Sequence, residues 1–346
     1  MAKRRRKKKS IIPFIIFLIM VILSLLALLK DNSAKELYKM VEEKIENQIV
    51  PKLKIIDEKS KTRPIAVMIN NHPKAVPNHA GLQDAYMVYE IIVEGGYTRM
   101  MALYKDKNTE RIGSVRSSRH YFLDYAMEND AIYVHFGWSP QAQSDIKKFA
   151  INNINGLYDS GFWRDTSLNV PYEHTAFTNI ANIKQTASRR GYRNTTNEKA
   201  LLNYSISNID ISEMNSAVVA NNVVIPYSYA QTTSYQYDID TKLYKRSMNN
   251  KAHVDAVTKQ QYTAKNIIIQ KISNYSIDSY GRQDLKNVGS GDGYYITNGY
   301  AVPITWTKNS RKEKTIYKFL DGTEVKVNDG NTYIQIQPIN QKTNFS

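Results

Sequence analysis

The sequence predicts an α+β protein. An N-terminal mixed α/β domain with a buried sheet is followed by an all-β antiparallel C-terminal domain, and a single N-terminal transmembrane helix precedes both. Three observations carry this reading. An uncharged stretch, Ile11 to Leu29, follows a strongly basic head. Between residues 63 and 195, apolar runs of strand length alternate with runs of helical period. After Val218 the helical period disappears, and short alternating runs are separated by Asn-Gly and Asp-Gly turns.

Charge and composition narrow the function classes. The formal net charge is +15, but Lys3 through Lys9 hold seven of those charges and Lys30 an eighth, which leaves +7 for the rest of the chain. That diffuse excess suits an anionic ligand or surface and does not argue for nucleic acid. The chain has no cysteine. Disulfides, thiolate metal sites and cysteine nucleophiles are therefore excluded.

Residues 1–10 read as a cytoplasmic head and residues 11–29 as the anchor, long enough to cross a bilayer. No A-x-A site follows the apolar run, so a retained anchor is expected rather than a cleaved signal peptide, with the body extracytoplasmic at the cell membrane. Residues 30–62 read as a juxtamembrane helix and linker. Leu37, Met40, Val41, Ile45 and Ile49 fall near helical spacing, and Pro51 ends the pattern.

In the N-terminal domain, 63–195, Ile65–Ile69 reads as a doubly buried strand. Met87–Val93 and Tyr97–Tyr104 flank Glu94-Gly95-Gly96 and read as two strands joined by a tight turn. Arg116-Ser117-Ser118-Arg119 opens a helix of about 118–127, with serine as its cap. A strand at Ala131–Phe136 and a helix from about 141 to 151, with Pro140 in its first turn, come next. A short helix is expected around Ile180–Arg190, and 196–217 reads as the connection. In the C-terminal domain, 218–346, strands are read through Glu324–Val327, flanking turns such as Asn298-Gly299 and Asp321-Gly322.

Several stretches together resemble one known family. RPIAVMINNHPKA (63–75), YEIIVEGGYTRMMALY (89–104), IGSVRSSRHYFLDYA (112–126), AIYVHFGWSPQA (131–142), YKRSMNNKAHVD (244–255), AKNIIIQ (264–270) and VGSGDGYYITNG (288–299) are similar to the YerB-like lipoproteins of Gram-positive bacteria. The similarity spans roughly 60–340. It implies a two-domain extracytoplasmic protein tethered to the membrane, in a family whose function is unknown. Members often carry a lipobox cysteine. This chain has none, so its tether is expected to be the 11–29 segment.

The candidate chemistry centres on residues 90–119. Arg99, Arg116 and Arg119, with Ser117, suit a phosphate or carboxylate, because guanidinium forks and helix N–H groups attract the same charge. Glu90 and Glu94 read as partners that orient those arginines. Four residues apart on a strand, they also admit a paired-carboxylate glycosidase reading. Ser139 and His135 admit an esterase reading, although Pro140-Gln141 replaces the expected x-Gly of a nucleophile elbow and Ser139 makes a good helix cap. His72, His79, His135 and His174 lack metal-ligand spacing, and no cofactor is expected. The expected function is a membrane-anchored binding or scaffolding protein of the cell envelope. It would hold an anionic envelope ligand or a partner protein, without nucleic acid. A cell-envelope hydrolase using Glu90/Glu94 or Ser139/His135 is the competing class.

Overall fold

The computed structural model describes residues 36, 39 and 52–346. Glu36 and Lys39 are helical and exposed, and the basic head, the whole of the anchor and the rest of the linker up to Pro51 lie outside the described residues. Among the described residues no helix is long and apolar enough to cross a membrane. Leu53–Ser346 forms one compact unit.

The N-terminal half supplies strands β1 (Ile65–Asn70), β2 (Met87–Ile92) and β3 (Thr98–Tyr104), then helix α1 (His120–Glu128) and strand β4 (Ile132–His135). Helix α2 (Pro140–Lys148), strand β5 (Asn153–Asn155) and helix α3 (Ile180–Arg189) follow. The C-terminal half contains β6 (Val218–Val219), β7 (Asn222–Pro226), β8 (Thr232–Asp238), β9 (Leu243–Met248) and β10 (Lys251–Ala252). It continues with β11 (Asn266–Ile272), β12 (Gly289–Thr297), β13 (Tyr300–Lys308), β14 (Thr332–Pro338) and β15 (Asn344–Phe345).

One long sheet runs through both halves in the order β6-β13-β12-β11-β14-β2-β3-β1-β4-β5. The seam is β14. It lies parallel to β2, with Met87 opposite Thr332 and Ile91 opposite Ile336, and parallel to β11 on its other side. A second sheet, β10-β9-β8-β7-β15, comes from the C-terminal half alone.

Strand alternation sorts the core. Tyr89, Ile91, Met101, Leu103, Ile268 and Ile334 face one side, where Phe122 and Tyr125 of α1 and Ile146 of α2 cover them. Val88, Met100, Ala102, Ile267 and Tyr333 face the other, covered by Ile180 and Ile183 of α3 and by Ile225, Tyr235 and Tyr244 of the second sheet. The large sheet is thus buried on both faces, which explains its near-continuous apolar runs.

Three expectations are corrected. The C-terminal half is not purely antiparallel, because β14 pairs in parallel on both edges. β14 itself lies beyond the last strand read from sequence. Gly289–Gly293 opens β12 and pairs with Ile304–Lys308 of β13. No serine caps α1: its N-cap is Arg119 and carries no side-chain cap, while the buried Ser118 hydroxyl accepts from Tyr133 OH at 2.9 Å.

Candidate functional site

Five separated stretches meet beyond the ends of β1 and β2 and the start of β3. β1 ends at Asn70, and the loop after it carries His72. The turn Glu94–Gly96 carries Glu94, with Gly95 at φ 69°, a left-handed conformation that glycine adopts without strain. β3 places Arg99 on the α1 face of the sheet, alongside Met101 and Leu103. The segment leading into α1 supplies Arg116 and Arg119, the turn Tyr172–His174 supplies His174, and a hairpin of 274–276 with 283–285 supplies Tyr280 and Arg282. Together they line an open cleft of about 390 Å³.

Four guanidinium groups line this cleft against one carboxylate. Glu94 is gripped by the Arg119 fork, through Nε on Oε1 and through Nη2 at 3.0 Å from Oε2. Arg99 Nη2 lies 3.6 Å from Glu94 Oε2, and its Nη1 donates to the Ser117 carbonyl at 2.7 Å. Arg116 donates to the Glu173 carbonyl at 3.3 Å. Arg282 is paired with Asp278 at 2.9 Å.

The electrostatics follow from burial. Arg99 is only 8% exposed, and burial together with the charge of Arg119 pushes its pKa down to about 9. Arg116 is lowered for the same two reasons, burial first. Burial alone would raise Glu94, but Arg119 and Arg99 hold it below the usual carboxylate range. The cluster therefore carries positive charge that is poorly solvated and only partly compensated. The uncapped first turn of α1 adds its dipole in the same sense.

Of the predicted site residues, Glu94, Arg99, Arg116 and Arg119 line the cleft. Ser117 contributes its carbonyl to Arg99. Glu90 does not belong there. It shares the opposite sheet face with Val88, because strand parity is broken by the turn that holds Glu94, and it is fully buried against Arg246 of β9. Glu90 and Glu94 therefore do not form a carboxylate pair across one cleft.

Ser139 and His135 are not hydrogen-bonded to each other either. Ser139 caps α2, accepting from Ala142 N–H at 3.2 Å. His135 is fully buried with Nδ1 2.8 Å from the Gly137 carbonyl and Nε2 3.1 Å from Asn153 Oδ1. Among the described residues no three His, Cys, Asp or Glu side chains converge as a metal site. Tyr235, Tyr244, Tyr295 and Tyr333 of the C-terminal half are fully buried core residues, whereas Tyr280 at the cleft is 76% exposed.

Sequence reasoning missed Asn70, Arg282 and the cleft placement of His72 and His174. The one local cue in the sequence is the polar run Asn70-Asn71-His72 that follows the apolar strand; nothing local marks His174 or Arg282.

Comparisons with known proteins fit this architecture. The family "Protein of unknown function (DUF3048) N-terminal domain" matches residues 52–193, and its C-terminal counterpart matches 223–334. The chain is 32% identical over 291 residues to "Putative lipoprotein YerB" of Bacillus subtilis (strain 168), covering 83% of this chain and 84% of that protein. The crystal structure of Bacillus subtilis YerB superposes with a TM-score of 0.72 at 29% identity, over 85% of this chain and 99% of that one. With both domains matched in order and a relative aligned along most of its length, the chain belongs to the YerB-like family of paired DUF3048 N- and C-terminal domains.

Proposed function

We propose that this chain is a membrane-anchored, extracytoplasmic binding or scaffolding protein of the cell envelope, and that the arginine cleft holds an anionic group of an envelope ligand. One observation carries the proposal: four guanidinium groups, one of them almost wholly buried, share a cleft with a single carboxylate. Exposed ion pairs gain little, so a surface network gives no reason to bury Arg99. The basic head and the uncharged 11–29 run support the membrane tether, as does the lipoprotein name of the Bacillus subtilis relative. The hydrolase class gains no support, since neither Glu90 with Glu94 nor Ser139 with His135 is assembled.

The test is calorimetric titration of the full-length chain in detergent with inorganic phosphate and phosphorylated glycan fragments, beside an Arg99→Ala, Arg119→Ala variant. Saturable binding that the variant abolishes is the expected result. Absence of binding by every anion would remove the cleft from this role and leave a protein partner as the ligand to seek.

A further inference from the structure

Two imidazoles line the cleft. The His72 and His174 rings stack with centroids 4.9 Å apart, and Tyr97 packs on His72 at 4.7 Å. Each ring has its Nδ1 already engaged by a donor. The Lys74 backbone N–H donates to His72 Nδ1 at 3.2 Å. Asn70 Nδ2 lies 2.7 Å from His174 Nδ1. The amide orientation of Asn70 is fixed independently, because its Oδ1 accepts the His72 backbone N–H at 3.2 Å. So both Nδ1 atoms must accept, and in a neutral imidazole the proton then sits on Nε2. Neither Nε2 has a hydrogen-bond partner among the described residues.

Resting on the anion-cleft reading above, we propose that His72 and His174 are ligand-binding residues that present neutral Nε2–H donors to the anion, and that it binds without taking up a proton. Protonating either ring would place a hydrogen on an Nδ1 that already faces an N–H. Of the charged groups facing the pair, Lys74 and Arg116 disfavour a further positive charge and Glu173 favours one. Burial, the largest cause, also lowers both imidazoles.

The anchor of this arrangement reaches far behind the cleft. The Asn70 carbonyl accepts from His79 Nε2, His79 Nδ1 lies 2.8 Å from His253 Nε2, and His253 Nδ1 accepts from Arg246 Nη1. A guanidinium can only donate, so His253 must carry its proton on Nε2, and His79 must do the same. Read from the Asn70 carbonyl, the His79 tautomer is the same. This buried chain ends at Glu90, which accepts from Arg246 at 2.8 Å. His79 and His253 are thus positioning residues: they hold the end of β1, from which Asn70 sets His174.

The deciding experiment labels histidine with ¹⁵N in the full-length chain in detergent and titrates inorganic phosphate. The expected spectrum shows His72, His174, His79 and His253 all as Nε2–H tautomers before and after saturation, with only the first two shifting. Binding heats at pH 7.5 should be the same in buffers of different ionisation enthalpy. His174→Leu should weaken phosphate binding roughly tenfold, as expected for one donor to an anion, and His174→Gln, which keeps an N–H donor, should lose less. An Nδ1–H tautomer, a proton taken up on binding, or parent-like affinity in a folded His174→Leu would overturn this inference while leaving the anion cleft intact. Failure of the parent to bind phosphate or any other anion would overturn both. Should His174→Leu not fold, the tautomers and proton count of the parent still decide.

Discussion

Arg246 Nη2 lies 2.8 Å from Glu90 Oε2, and neither side chain reaches solvent. The two residues come from different halves of the chain and different sheets, so this ion pair pins the second sheet onto the long one. Glu90 also accepts from Asn71, Thr98 and Thr233, which leaves its carboxylate well satisfied at that depth.

Replacing one partner strands the other. Arg246→Met should cost about 3–5 kcal/mol in denaturant unfolding, because a buried carboxylate loses its counter-charge. The double variant Glu90→Leu, Arg246→Met should be less damaged than Arg246→Met alone. Equal or additive losses would show that the pair does not act as a unit.

Arg99 should trade stability for binding. Its charge is buried beside Arg119, so Arg99→Met is expected to lower phosphate affinity by roughly tenfold or more while the ligand-free protein melts no lower than the parent. A large drop in melting temperature would assign Arg99 to the structure instead.

Stability should fall as the solution is acidified through the histidine range. Burial lowers His79 to about 4 and His253 well below its ordinary value. The unfolded chain binds protons near pH 6.5 that the folded chain refuses, so this stability is present above about 6.5 and is lost on the way down to about 4. Asp124 works the other way in the same window, since burial raises it to about 6 against the pull of Arg311. Urea unfolding between pH 7 and 4 should show a net loss that His79→Gln reduces. A flat profile in the parent would contradict it.

Ser139→Ala should remove a helix cap and nothing else. The expected cost is about 1 kcal/mol, with phosphate affinity unchanged. Loss of a hydrolytic activity in this variant would restore the esterase reading that the geometry disfavours.

Much of the long sheet was legible because its strands are short apolar runs bounded by strong punctuation. Glu94-Gly95-Gly96 announced the turn between β2 and β3, and Pro140 after Ser139 announced α2. β14 was not legible, although it is the central seam. Its Gln335 and Gln337 look like solvent-facing residues, yet both are buried and satisfied, Gln335 by Tyr227 and Tyr235 and Gln337 by the Pro226 carbonyl and Thr343. The cleft was half legible. Arg99, Arg116 and Arg119 lie close in sequence and could be grouped, whereas His174 and Arg282 arrive from distant loops that no local pattern connects to Asn70. Glu90 was misplaced because strand parity was carried through a turn that breaks it.

The position of β14 also constrains how the protein is made. It is synthesised after every other strand of the long sheet, yet it occupies the middle, between β2 and β11. Until the ribosome delivers it, both neighbours present an open edge with unpaired backbone groups, a surface that invites wrong partners. The two halves cannot complete themselves in turn as they emerge. Their final closure waits on seven late residues, and a chain stopped before Thr332 would leave both halves unfinished at once.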